Sequence, residues 1–173
     1  VEDIAELAAA ARRGDRLISF LCEFVVPPAL LQRLDYNAYN FHPGPPAFPG
    51  AHPVAFALYE QVREYGVTAH RMADRVDSGT IVGIEPIHIL PGWNYVDLSE
   101  AAMMALGALF RALVPELLNI PTQIPALGRT WAGRRCTRRQ HDQLTRIPRD
   151  IDPAELDLRF RAFEGIYCPL DRD

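Results

Sequence analysis

Three cysteines in 173 residues, Cys22, Cys136 and Cys168, are too few and too widely spaced for a disulfide framework. No pair has the CxxC spacing of zinc or redox sites, so all three read as free thiols and no metal is expected. No apolar run approaches the ~18 residues that cross a bilayer, and the first residues form an acidic helical pattern where a secretory leader would be charged and then apolar. The expectation is a soluble, cytoplasmic chain with no membrane partner. Positive charge is not in excess either. A net charge of −4 and a pI near 5.7 argue against a general nucleic-acid binder, which needs a cationic face to displace phosphate counterions. Internal repeats, low-complexity segments, heptad arrays and glycine-rich phosphate loops are all missing.

What is present suits one globular domain with a real core: 49% of residues are hydrophobic and 23% charged. Residues 2–13 place Ile4, Leu7 and Ala8 at helical spacing, with acids early, Arg12 and Arg13 late, and Gly14 as the stop. The apolar run 17–22 predicts a strand buried on both faces. Pro28 starts a short helix through Leu30, Leu31 and Leu34, and 36–41 is the next strand. This is a β-α-β unit, and ligands of open α/β sheets bind beyond the carboxyl ends of such strands. A stiff Pro/Gly loop, 43–53, leads to a helix over 54–65, with Gly66 as its cap. Strands 67–72 and 80–89 are joined by a tight turn, 73–79, whose polar side chains are expected to be exposed. Residues 97–100 supply a helix start, and the apolar helix 101–118 should pack on the sheet. Residues 1–121 are thus read as one α/β domain with a mixed, mostly parallel sheet flanked by helices.

After Pro121, residues Arg129, Arg134, Arg135, Arg138, Arg139 and His141 crowd a stretch of little periodicity. Segment 122–173 is read as a C-terminal tail with one short helix, capped by Asp152 and opened by Pro153, with Glu155 in its first turn. The arginines read either as a solvated tail or as an anion-binding or dimer-contact segment.

Chemistry is expected at the end of the second strand. Asn40 and His42, two residues apart, point the same way, and the Pro/Gly loop that follows keeps the backbone from burying them. Taken singly, Asn40 reads equally well as a turn cap and His42 as a satisfied loop histidine. His70 reads as structural, and His52 and His88 as surface or packing residues. The ordered set decides more than its members. Asn40-x-His42, the Pro/Gly loop, Gly66-Val67-Thr68-x-His70 and Asp77-Ser78-Gly79 together resemble the formyltransferases that use 10-formyltetrahydrofolate, a family that includes methionyl-tRNA, glycinamide-ribonucleotide and sugar-nucleotide formyltransferases.

The resemblance covers roughly residues 15–89 and implies a Rossmann-like formyltransferase fold. It implies that Asn40 donates to the formyl oxygen, that His42 moves a proton or stabilises the oxyanion, and that Asp77 orients the imidazole or relays protons through water. It also implies that the pterin of the cofactor lies against backbone groups of Cys22, Glu23, Phe24, Val25 and Val26 and of the turn Asp74, Arg75, Val76 and Asp77. A carboxylate beside His42 is expected to raise its pKa. Relative to the family, two β-α units are missing before residue 17, and Val1 in place of Met suggests a start inside a longer product. The apolar edge at 17–22 then needs cover from the 2–13 helix or a partner chain. Gly44-Pro45-Pro46 replaces the family's Ser-Leu-Leu-Pro, which leaves the acceptor open. A short tail and acidic pI favour a small amine acceptor, such as an amino-sugar nucleotide, over tRNA. Methionyl-tRNA, a non-catalytic folate-binding or assembly module and a formyltetrahydrofolate hydrolase are the alternatives, and a homodimer is compatible with all of them.

Overall fold

The computed structural model describes residues 3–22, 24–132 and 134–163, so Glu23 and Cys168 lie outside the described residues. Four strands form one mixed sheet in the order β1-β2-β3-β4, flanked by helices. Helix α1 (Ile4–Ala10) starts at Asp3, whose carboxylate accepts from Glu6 N, and packs Leu7 against Leu30 and Leu34. Strand β1 (Leu17–Phe20), helix α2 (Pro28–Arg33) and strand β2 (Ala38–His42) form the expected β-α-β unit, with β1 parallel to β2. Pro28 takes the first helical turn, where its missing N–H costs nothing.

Strand β1 is not buried on both faces. Its side chains alternate, and Ile18 and Phe20 are about 40% exposed. Phe20 is partly covered through edge and tilted contacts with Phe110 and Phe41. Arg16, just before β1, fixes this edge strand to the opposite layer. Its guanidinium donates to the carbonyls of Glu116, Leu117, Ile120 and Thr122 at 2.6–2.9 Å, where a helix ends with unsatisfied acceptors.

Strand β3 (Glu64–Arg71) runs antiparallel to β2, and β4 (Ile81–His88) antiparallel to β3. Parallel pairing is thus confined to β1 and β2, a smaller share than the sequence suggests. The chain leaves β2 through the Pro/Gly loop and the short helix α3 (Pro53–Tyr59) and re-enters the sheet at the same end, which only an antiparallel strand can do. Helix α3 stops six residues before its expected end. Gln61 adopts the left-handed conformation (φ 54°), and Val62 N–H donates back to Ala57, which closes the helix without glycine. Tyr59, Val62 and Tyr65 mimic helical spacing, but Tyr65 and Gly66 belong to β3. Gly66 is needed there because a Cβ would lie 2.7 Å from the Glu85 carbonyl of β4.

Helix α4 (Tyr95–Leu118) begins earlier than expected. Asn94 caps it, in a capping box with Asp97. Leu98, Ala102, Leu106, Leu109 and Leu117 are buried as one stripe against β3 and β4. By length and composition α4 meets the requirement for a membrane span, contrary to the sequence reading, although here that stripe is the cover of a sheet.

Segment 122–137 crosses back over the Pro/Gly loop. Ala132 N–H donates to Pro46, Cys136 N–H to Pro49, and Ala51 N–H to Cys136, all at 2.8–2.9 Å. Helix α5 (Arg138–Thr145), capped by a Thr137–Gln140 box, is not legible in the sequence because it buries no side chain and so carries no apolar stripe. Helix α6 (Pro153–Ala162) starts where expected, with Asp152 accepting from Ala154 N and Glu155 N. It packs on α3 through Phe163 against Phe56 and Tyr59, and Tyr59 Oη donates to Glu155 at 2.7 Å.

Candidate active site

Asn40 and His42 lie at the carboxyl end of β2, and their partners across the antiparallel ladder are His70 and Thr68. His70 therefore stands beside Asn40, and Asn40 Nδ2 is 3.2 Å from His70 Nε2. Asp77 reaches the same place from the β3–β4 turn. It is buried, contrary to the expectation for that turn, and sits in the left-handed conformation (φ 46°), which Asp and Asn tolerate better than most residues.

The fixed partners of the two histidines set how their rings are oriented. A carbonyl can only accept, so His42 Nε2–H donates to Phe48 O (3.2 Å) and His70 Nδ1–H donates to Arg71 O (3.0 Å). The nitrogens not directed at a carbonyl are His42 Nδ1 and His70 Nε2. Both face one carboxylate. His42 Nδ1 is 3.6 Å from Asp77 Oδ2, and His70 Nε2 is 3.3 Å from Asp77 Oδ1. The 3.6 Å separation is a charge contact longer than a hydrogen bond. Asp77 Oδ2 also accepts from Gly50 N–H at 2.8 Å.

Burial pushes the Asp77 pKa up, but the His70 hydrogen bond, the His42 ring and the Gly50 amide outweigh it, and the carboxyl is held below its ordinary value. For His42 the balance runs the other way. Burial lowers its pKa more than Asp77 and the Phe48 carbonyl raise it, so the net shift is downward. The rise expected from a neighbouring carboxylate is real as a contribution but loses to desolvation.

These groups lie in a cleft of about 610 Å³. Leu21, Cys22, Phe24, Val25 and Val26 line it, as do Ala73, Asp74, Arg75, Val76 and Asp77. Every residue expected at the cofactor and catalytic sites is thus on one cleft, apart from Glu23, which is outside the described residues. Asp74 is held by Tyr36, whose Oη donates to its carboxylate at 2.9 Å.

Residues matching the family described as formyl transferase run from 5 to 111. The chain belongs to the formyl transferase family. A phosphoribosylglycinamide formyltransferase of Mycobacterium tuberculosis is 33% identical over 138 residues, which cover 78% of this chain and 63% of that relative. The chain therefore spans less than two thirds of that relative's length. Among solved structures, a 4-N formyltransferase from Francisella tularensis has a TM-score of 0.79 at 20% identity, covering 92% of this chain and 66% of the other. An N-formyltransferase from Helicobacter canadensis, solved in complex with folinic acid and dTDP-3-aminofucose, has a TM-score of 0.73 at 16% identity, covering 97% and 62%. At these identities the structural likeness concerns the fold, and it agrees with a Rossmann-like α/β architecture in this family.

Around this histidine–carboxylate cluster the sequence reading misses two residues. It gives His70 a structural role, but the β2–β3 register puts this ring against both Asn40 and Asp77; its signal is its place in the Gly66-Val67-Thr68-x-His70 string. Trp131 lies on the tail. Its Nε1–H donates to Gly79 O at 2.8 Å, and its ring meets His70 and His42 edge-on, with centroids 5.0 and 5.8 Å away. No local pattern marks it.

Proposed function

We propose that this chain transfers a formyl group from 10-formyltetrahydrofolate to a primary amine of a small molecule such as an amino-sugar nucleotide. The observation that carries the reading is Asp77, set between His42 Nδ1 and His70 Nε2 and beside the Asn40 amide. The cleft fits such a cofactor. Apolar Phe24, Val25 and Val26 line it together with the turn Asp74–Asp77, and this combination suits a flat heterocycle with hydrogen-bonding edges.

When bound, the folate supplies an activated formyl carbon to an attacking amine. Asn40 Nδ2 carries two hydrogens. The amide stands beside the His70 ring, with Nδ2 3.2 Å from Nε2, and can donate to the oxygen that gains negative charge. His42 Nδ1, kept unprotonated by burial, takes the proton that the amine sheds. Asp77 then faces an imidazolium and stabilises it, while Trp131 and the Phe48 carbonyl hold the ring in place. Support for a sugar-nucleotide acceptor comes from the Helicobacter canadensis complex, whose two ligands are a folate and an amino-sugar nucleotide.

Isothermal titration with a non-reactive folate analogue tests the cofactor half of this reading. Wild type and His42→Ala should both show saturable binding, because the slot is mainly backbone, and Val26→Trp should block it. Failure of the wild-type chain to bind, or a Val26→Trp variant that binds as well as wild type, would sink the assignment of the slot.

A further inference from the structure

We propose that Arg135 and Arg138 form an anion subsite of the same cleft, and that it receives a phosphate group of the acceptor; the inference rests on the formyl-transfer reading. Both residues line the cleft that holds Asn40, His42 and Asp77. The backbone fixes which flank they occupy. Cys136, between them, is hydrogen-bonded to Pro49 and Ala51, on either side of Gly50, and Gly50 N–H is the donor to Asp77. The arginines therefore stand on the flank where the proton chemistry of His42 and Asp77 takes place.

Two other arginines of the tail have partners among the described residues. Arg134 pairs with Glu60 and lies over the Phe48 ring at 4.5 Å, and Arg159 is bonded to Glu155 and to the carbonyls of Leu144 and Arg146. Arg135 and Arg138 are exposed, and neither is in an ion pair among the described residues. The titratable groups around them are His52, His141 and Asp142. His52 lines the cleft and stacks on His141 with ring centroids 3.8 Å apart, and Asp142 lies 3.6 Å from His141. The cleft also holds Asp77, which is turned to the two histidines, and Asp74, which accepts from Tyr36.

The chain has no lysine, so all 18 of its cationic side chains are arginines, on a background of net charge −4. Planar guanidinium forks match phosphate oxygens in a bidentate manner, which an ammonium cannot do. A nucleotide-linked amino sugar and a phosphoribosyl amine both bring a phosphate together with the amine. Two such forks on the wall of the cleft would hold that phosphate while the amine faces His42. A carboxylate of the folate itself is the other anion that could lie here, and the experiment separates the two.

The test is titration of the full chain, as wild type, Arg135→Gln, Arg138→Gln and the double variant, with dTDP, inorganic pyrophosphate and, separately, folinic acid. Each single change should raise the dTDP and pyrophosphate dissociation constants about tenfold and the double change more, at unchanged melting temperature, with folinic acid binding unaltered. Arg135→Lys should fail to restore affinity fully. Wild type that binds neither dTDP nor pyrophosphate, or variants that bind them as well as wild type does, would overturn the subsite. Weakened folinic acid binding with dTDP binding unchanged would also overturn it, by giving the arginines to the cofactor's carboxylates. Wild type that binds dTDP but no folinic acid would leave the subsite standing and sink the formyl-transfer reading instead.

Discussion

Replacing Asp77 by Asn removes one charge and little else. Asn tolerates the left-handed backbone at this position, and its amide oxygen can still accept from Gly50 N–H, so the turn should keep its shape. What is lost is the attraction between the carboxylate and a protonated His42. At 3.6 Å this is about 5 kcal/mol at an effective dielectric of ~20. Without it, only the Phe48 carbonyl opposes burial at His42, and its pKa falls further from the ordinary value, making it a poorer base. The expected result is a fall in kcat of about 10²–10³, within the range typical for loss of acid–base assistance. Stability should respond through pH. Asp77 is held below its ordinary value of 3.8, so the unfolded chain binds its proton more tightly than the folded chain. Its contribution is therefore present above that value and lost as pH falls through the folded value. Denaturant unfolding should show wild type ahead of Asp77→Asn at pH 7, with the gap narrowing below about pH 4. An Asp77→Asn protein with kcat within about threefold of wild type at saturating substrate would refute the proton-sharing account.

Other perturbations test other links. Because burial lowers the His42 pKa below 6.5, the acid limb of kcat/KM should have its midpoint below 6.5, and protonation of His42 under more acidic conditions should abolish turnover; a midpoint above 6.5 would contradict the burial argument. Trp131→Phe keeps a ring against His42 and His70 but loses the donor to Gly79, and should cost about 1 kcal/mol in denaturant unfolding. Gly50→Ala would force a Cβ onto the Cys136 carbonyl at a position with φ 106°, and should destabilise by about 2 kcal/mol or more while releasing the tail to limited proteolysis. Asn94→Ala removes the capping box of α4 and should lower stability by about 1 kcal/mol without changing kcat.

The elements legible in the sequence are those whose signals are local. Pro28 and Asp152 open helices because first-turn proline and carboxylate caps act within one turn. Asn40, His42 and Asp77 are legible as an ordered set. What escapes depends on the third dimension. The buried His70 reads as a structural residue because its meaning comes from the β2–β3 register, which sets it against Asn40. The end of α3 is misplaced because Gln61 closes it in a left-handed conformation that Gln carries no local mark for, while Tyr65 happens to continue the helical spacing. The Asp77 side chain is expected to be exposed because polar turns usually are, and only Gly50 and the two histidines explain its burial. Trp131 and the arginines of the tail have no legible place, since it is backbone pairing of Cys136 with the Pro/Gly loop that brings them to the cleft.

The central claim is that His42 and Asp77 direct a formyl group to an amine and not to water. The most direct measurement follows carbon-labelled formyl from 10-formyltetrahydrofolate in a single turnover with an amino-sugar nucleotide, for wild type and His42→Ala. The account predicts label in the amide product of wild type, with transfer slowed at least ~10²-fold in the variant. Label released as formate at the same rate with and without the amine would contradict it.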